Sequence, residues 1–365
     1  MQQQYQSDQS DQTYQSDQTY QEQPMHSHTH THDTSKYQHR NLINSKYVYE
    51  RKIGKGSFGC IYQGLNIVTQ EKVAIKYEAT TCTQPTLVWE SKILNHLSGI
   101  PGVVKLRYFG TESNKNIIVM DLFSHTLLEE VTKLKKAETM SVFNRKYESG
   151  TESGSECEIQ SGDEIIDNPN PNPNPNPSYK YYLDDILKYM ISIVEIIEKI
   201  HDKGVIHRDI KPENFMISHS RIQDQPVIKK VNIIDFGLSR IYIKEGMHIP
   251  NKRDASIVGT MRYISTYIHE GNVYSRRDDI ISILYVIIYL LKGRLPWCGL
   301  KIEPDDKRTK AEIVYEVKKR TPILELCKGL PAIFERMLTY AYNIEFDEKP
   351  DYVYLKRLCK KELSI

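Results

Sequence analysis

The tightest constraint on the fold lies at residues 51–64, RKIGKGSFGCIYQG, where Gly54, Gly56 and Gly59 form a GxGxxG array. Two unrelated phosphate-binding devices share this spacing. One turns a strand into a helix whose first N–H groups hold a pyrophosphate, with an acidic ribose ligand roughly 20 residues later. The other joins two antiparallel strands and folds as a flap over a nucleotide. The residues after Gly59 separate them. CIYQG is rich in strand formers, and EKVAIKYE from Glu71 alternates again, so the pattern reads strand, turn, strand, strand, without a helix start. The flap is therefore expected, with Ile53 and Ile61 on its two strands lining a nucleotide cleft.

Transfer of a phosphoryl group needs positioned phosphates, neutralised charge and an aligned nucleophile. The chain supplies groups for each in order. Lys76 closes the VAIK strand, where an ammonium reaches phosphates if a carboxylate fixes its direction. Glu90 in TLVWESKILNHL is that carboxylate, because Leu87, Glu90 and Leu94 share a helix face. In GVIHRDIKPENFMI, Asp209 is expected to orient the attacking hydroxyl or accept its proton. Lys211 would neutralise the transferring phosphate, and Asn214 would hold Mg²⁺ through its amide oxygen. VNIIDFGLSR runs an apolar strand into Asp235, a second metal ligand, with Phe236 packing inward and Gly237 allowing a turn. Taken singly, these are ordinary solvated charges and polar loops; the order in which they recur gives them meaning.

Composition marks off two segments. Residues 1–45 are rich in Gln, Ser, Asp, Thr and His with few large aliphatics, too little apolar surface to offset chain entropy, and are expected to be a disordered tail. Residues 137–178 hold ESGTESGSECEIQSGDE and an Asn-Pro repeat, expected to be a solvated insertion. These segments carry −3 and −6, which leaves +11 on the remaining body. A basic body suits nucleotides and acidic or phosphorylated peptides. It would also attract nucleic acid, but no RRM, zinc or helix-turn-helix pattern supports that partner. The six cysteines form no CxxC pair, which fits a reducing compartment. IISILYVIIYLL, Ile280 to Leu291, is 12 residues long, too short for a bilayer, and reads as a buried helix. With no apolar leader either, a cytoplasmic, monomeric protein is expected.

The catalytic HRDIKPENF and DFGLSR resemble protein kinases broadly, and further stretches resemble the casein kinase I family of serine/threonine kinases: HIP at His248–Pro250, GTMRYIS at Gly259–Ser265, SRRDD at Ser275–Asp279, LPWCGLK at Leu295–Lys301, then TPILELCKGLP and EKPDYVYLKRL. The usual APE motif is replaced by STY at Ser265–Tyr267, as is typical of that family. The resemblance covers about residues 47–360 outside the insertion. It implies an α+β, bilobal kinase fold, with a small antiparallel β-rich lobe carrying one helix, from about Tyr47 to Leu122, and a larger helical lobe reaching Leu358. It also implies ATP and Mg²⁺ as cofactors and a preference for acidic or phospho-primed protein substrates, read by Arg262 and Lys301. Met120 would gate the adenine pocket ahead of a hinge at Asp121–Phe123, and Asp279 would support the catalytic loop. Three departures stand out: Ser124, His125 and Thr126 in place of Gly-Pro-Ser, Leu284 in place of a small glycine, and Ala255 at a basic position. An inactive kinase-like scaffold is the competing reading, opposed by the presence of Lys76, Asp209, Asn214 and Asp235. Ser7, Ser10, Thr13, Ser16 and Thr19 recur every three residues, and Thr151, Ser155 and Ser161 each follow a glutamate by three, so both segments look like substrates of such an enzyme. Expansion of a short triplet accounts for the tail's period equally well.

Overall fold

The structure is a computed structural model that describes residues 42–56, 59–83, 85–148, 179–220, 228–253, 256–301, 306 and 308–364. Ala255 and most of the two low-complexity segments lie outside the described residues.

Period-two alternation from Tyr47 onward builds an antiparallel sheet. Strand β1 (Tyr47–Gly56) turns back as β2 (Gly59–Asn66), with Gly56 opposite Gly59, and β2 pairs with β3 (Lys72–Ala79). β5 (Lys115–Asp121) inserts between β3 and β4 (Leu106–Glu112), so the order is β1-β2-β3-β5-β4. The glycine array is thus a hairpin and not the start of a helix. The start of β2 is tightly held: a Cβ at Gly59 would lie 2.0 Å from the Tyr77 carbonyl oxygen, so the close approach of β2 to β3 excludes any side chain there. On β3, Val73 and Ile75 pack with Ile43, Tyr47, Ile117 and Val119. The alternate residue Ala74, with Ile118 and Met120 on β5, joins a core shared with helix α1 (Leu87–His96).

The other lobe is mainly helical. It holds α2 (Leu127–Glu148), α3 (Tyr179–Asp202), α4 (Thr266–His269), α5 (Arg276–Lys292), α6 (Lys310–Arg320), α7 (Ile323–Cys327), α8 (Ala332–Tyr342) and α9 (Tyr352–Leu363). In α3, Ile186, Met190, Ile193, Ile197 and Ile200 recur at three- and four-residue spacing and are buried. The run Ile280–Leu291 is the body of α5, which ends at Gly293 with φ 81°. Leu284 is fully buried there, so the departure from glycine is absorbed by packing in the main core. Among the described residues, no helix is long and apolar enough to cross a membrane.

Two sequence boundaries need correction. Helix α2 continues through Glu148, twelve residues into the stretch expected to be a linker, and residues 149–178 lie outside the described part. At the other end, Ile43 is 3% exposed and exchanges backbone hydrogen bonds with Tyr47, so residues 42–45 belong to the folded body. The physical reason is local: one apolar side chain with a place in the core outweighs its polar neighbours.

The first turn of α5 carries the scaffold of the site. Asp279 is fully buried, and its carboxylate accepts the backbone N–H of His207 at 2.7 Å and of Arg208 at 3.0 Å. His201 Nε2 lies 3.1 Å from the same carboxylate, and its Nδ1 lies 2.6 Å from the Tyr352 hydroxyl on α9. Burial pushes the Asp279 carboxyl up, but the His201 contact and the other donors outweigh it and hold it below its ordinary value. We expect Asp279→Asn to destabilise the fold by about 3 kcal/mol, because an amide cannot accept all of these bonds. Since the folded value is depressed, the stabilisation is complete above the unfolded carboxyl value of about 4 and is lost as pH falls through the folded value. Melting of both proteins between pH 7 and pH 3 checks this: the gap should close toward acid, and a constant gap would contradict it.

Candidate active site

Lys76 lies on β3 facing α1, is 5% exposed, and bridges two carboxylates. Its Nζ is 2.7 Å from Glu90 Oε2 and 2.9 Å from Asp235 Oδ1. Burial pulls the ammonium down, yet the two carboxylates outweigh it and hold its pKa above the ordinary lysine value. Asp235 is likewise pushed up by burial but held low, mainly by Lys76. The other oxygen of Glu90 accepts the Phe236 N–H at 3.3 Å. Phe236 is fully buried, with its ring 4.9 Å from that of His207 in an edge-on arrangement. His207 Nε2 in turn meets the Ile234 carbonyl at 3.0 Å.

Sequence logic pointed to Glu90 as the partner of Lys76, but it passed over Glu78, which sets where α1 begins. Glu78 is 1% exposed, and its carboxylate accepts the N–H of Thr86 at 2.9 Å and of Leu87 at 3.1 Å, with Asn116 donating at 3.1 Å. A buried carboxylate thus takes the N-terminal donors that Thr86 leaves without a side-chain cap. The signal was there: Ala74, Lys76 and Glu78 alternate onto one face of β3.

The second half of the site follows β7 (Val205–Ile206) and includes the short 3-10 turn Pro212–Asn214 before β8 (Phe215–Ser220). Asp209 Oδ2 meets Lys211 Nζ at 2.5 Å, and Asp209 Oδ1 accepts the Thr260 hydroxyl at 2.7 Å. The Asn214 amide nitrogen donates to the Asp209 carbonyl at 2.8 Å, and its backbone carbonyl accepts Ile234 N–H at 3.0 Å, tying it to the residue before Asp235. Arg208 and Asp235 have φ of 69° and 65°, in the left-handed region that non-glycine residues seldom occupy. The bond from Ile234 N–H to the Asn214 carbonyl thus sets the segment that carries Asp235 beside the one that carries Asp209 and Asn214. Thr260 was not foreseen from sequence, since it is 51 residues from Asp209 and only the fold joins them.

On the glycine hairpin, Ile53 is 43% exposed on β1, while Ile61 pairs with Gly54 and with Lys76. Gly54 has room at its Cα, unlike Gly59, and Ser57 and Phe58 at the tip of the hairpin lie outside the described residues. Met120 is buried on β5, next to Asp121, whose carboxylate accepts Arg107 Nε at 2.6 Å, so that side chain is committed to an ion pair. Phe123 is half-buried against the main core. In place of Gly-Pro-Ser, the Ser124 hydroxyl donates to the Ile217 carbonyl at 2.8 Å, and His125 lies 2.6 Å from Glu130. The β6 pair His125–Thr126 then zips onto β8, so these residues are built into the lobe.

Arg262 and Lys301, the expected anion readers, share no hydrogen bond or ion pair among the described residues. Arg262 is half-buried, with its guanidinium 5.3 Å from the centre of the Tyr289 ring, and Lys301 is exposed. The turn holding Arg262 is gripped from beneath. Trp297 Nε1 donates to the Arg262 carbonyl at 2.7 Å, and Lys318 Nζ donates to the carbonyls of Met261 at 2.7 Å and Ile264 at 2.6 Å. Lys318 is 4% exposed, and burial pushes its pKa well below the ordinary lysine value. Sequence reasoning missed Lys318, because a lysine in the basic run KKR reads as surface charge.

A family model described as the protein kinase domain matches residues 47–150 and 170–340, a span that takes in the glycine hairpin, Lys76, Glu90 and the Asp209–Asp235 segment. With that match over most of its length, and with this site between a β-rich and a helical lobe, the chain belongs to the protein kinase family.

Proposed function

We propose that the chain is a serine/threonine protein kinase of casein kinase I type, which transfers the ATP γ-phosphate to hydroxyls of acidic or phospho-primed proteins. The family implies ATP, a divalent cation and a protein substrate; Mg²⁺, the hydroxyl preference and the substrate character are our reading. The observation that carries it is the double ion pair of Lys76 with Glu90 and Asp235, beside Asp209 already bonded to Lys211, Asn214 and Thr260. The competing inactive scaffold would not need this pairing.

In the proposed reaction the substrate hydroxyl oxygen bonds to the γ-phosphorus as the bond from that phosphorus to the β,γ-bridging oxygen breaks, releasing ADP. Asp209 orients the hydroxyl and takes its proton. Lys211, two residues on, offsets charge on the transferring oxygens, a role that fits a serine or threonine acceptor. Lys76 directs the α- and β-phosphates. Asp235 and the Asn214 amide oxygen would hold the Mg²⁺, which supplies charge neutralisation on the phosphates when bound. Arg262 and Lys301 would read an acidic or phosphorylated residue ahead of the target through charge-assisted hydrogen bonds. Cytoplasmic action as a monomer completes the reading; the described cysteines, Cys60, Cys82, Cys298, Cys327 and Cys359, are all free thiols.

Two outcomes test it. With ATP, Mg²⁺ and casein, Asp209→Asn is expected to bind nucleotide normally and lose at least about 100-fold in kcat, whereas Asp235→Ala should weaken Mg²⁺-dependent nucleotide binding. Transfer by Asp209→Asn at the wild-type rate would refute the assignment, and absence of transfer by the wild type would favour the scaffold. Replacing Arg262 and Lys301 together by Ala should raise KM for a phospho-primed peptide about 10-fold more than for its unprimed counterpart, because only the former loses charge-assisted bonds. Equal effects on the two peptides would remove the proposed anion reading.

A further inference from the structure

Helix α1 spans ten residues, Leu87–His96, and everything that fixes its angle bears on whether Glu90 meets Lys76. Glu78 holds its first amides from the sheet, and His96 Nε2 lies 2.8 Å from the Lys203 carbonyl at its other end. Between these anchors stands Trp89. The residue is 36% exposed, an unfavourable setting for the largest apolar side chain if packing were its purpose. Its indole Nε1–H donates to the Ser239 carbonyl at 2.8 Å, across 150 residues of sequence.

Ser239 is no ordinary loop position. Its hydroxyl and its N–H both donate to the Phe236 carbonyl, at 2.6 and 3.1 Å, which closes the turn that follows Asp235. Arg208 Nε donates to the carbonyl of Leu238 in the same turn at 2.5 Å. The adjacent residues Trp89 and Glu90 therefore hold this turn at two points, Ser239 carbonyl and Phe236 N–H. A single bond would leave α1 free to pivot about it. Two bonds separated along the turn fix the rotation of the helix about its axis, and with it the direction of the Glu90 carboxylate.

We propose that Trp89 is a positioning residue for phosphoryl transfer: its indole N–H latches α1 to the turn after Asp235 and so keeps Glu90 aligned on Lys76. This rests on the reading of the site as a working phosphotransferase. Trp89 touches neither nucleotide nor peptide in this role. It acts through Glu90, and its contribution is to the fraction of molecules in which the Lys76 ion pair is closed.

The test is Trp89→Phe in the full chain, which keeps an aromatic ring and removes the N–H, set beside Trp89→Ala. A latch predicts that Phe loses nearly as much as Ala, with kcat about 5-fold below wild type, the melting temperature unchanged and KM for the protein substrate unchanged. Hydrogen exchange of the α1 amides gives a second readout that needs no turnover, and it should speed up in Trp89→Phe while α5 and α8 stay protected. A Phe variant that matches wild type in both kcat and α1 exchange, or one whose lost activity is matched by a lower melting temperature, would overturn the proposal. If the wild type transfers no phosphate, the proposed function fails, and the exchange measurement still decides the latch.

Discussion

A lysine ammonium with almost no access to water, shared by two carboxylates from distant parts of the chain, is the interaction on which the rest depends. Lys76 comes from the sheet, Glu90 from α1 and Asp235 from the helical lobe. Burying any one of these charges alone would be costly, and removing one partner would strand the others. The three elements are therefore mutually conditional. Helix α1 must face inward, the Phe236 ring must be buried beneath it, and the turn must place Asp235 in its left-handed conformation. Ion pairs of this kind contribute little net stability, because the cost of desolvating the charges offsets their attraction.

The helical lobe supplies the counterpart. There the organising group is a carboxylate, Asp279, and the groups it gathers are backbone amides of the loop that carries Asp209. Because α5 is buried along nearly its whole length, its first turn is a rigid platform. Orientation of Asp209 thus descends from core packing through one side chain, with Thr260 and Lys211 fixing the carboxylate from above. The half built on Lys76 and the half built on Asp209 are aligned by different means, and the bond from Ile234 N–H to the Asn214 carbonyl joins them.

How far the sequence could be read depends on the range of each cause. Local causes were legible: strand alternation around the glycines, the helical spacing of Leu87, Glu90 and Leu94, and the apolar run that became α5. Order and spacing singled out Lys76, Asp209, Asn214 and Asp235, and the fold joins Lys76 to Asp235 and Asn214 to Asp209. Groups defined by the fold alone were not. Thr260 and Lys318 belong to residue types that sequence assigns to surfaces, and each acquires its partner only when distant segments meet, whereas Glu78, on a strand face the alternation already marked, caps a helix that starts nine residues later. The limits of the low-complexity segments were misjudged for a related reason. Composition averages over a window, whereas Ile43 and the last turns of α2 respond to individual contacts or to an existing helix.

The lysine beneath the Arg262 turn carries a consequence for how that turn can move. Lys318 Nζ has the carbonyls of Met261 and Ile264 as hydrogen-bond acceptors, and its surroundings are the π faces of Tyr285 and Trp297 at 5.4 and 5.2 Å. If the turn shifts by even an ångström or two, both bonds lengthen together while the amine stays sealed from water, and neither ring can replace a lost acceptor. The energy of displacement therefore rises steeply and then jumps, instead of growing smoothly as it would for a loop resting on solvent. The turn that holds Arg262 is therefore either seated on Lys318 or wholly released, with little capacity to settle at positions in between.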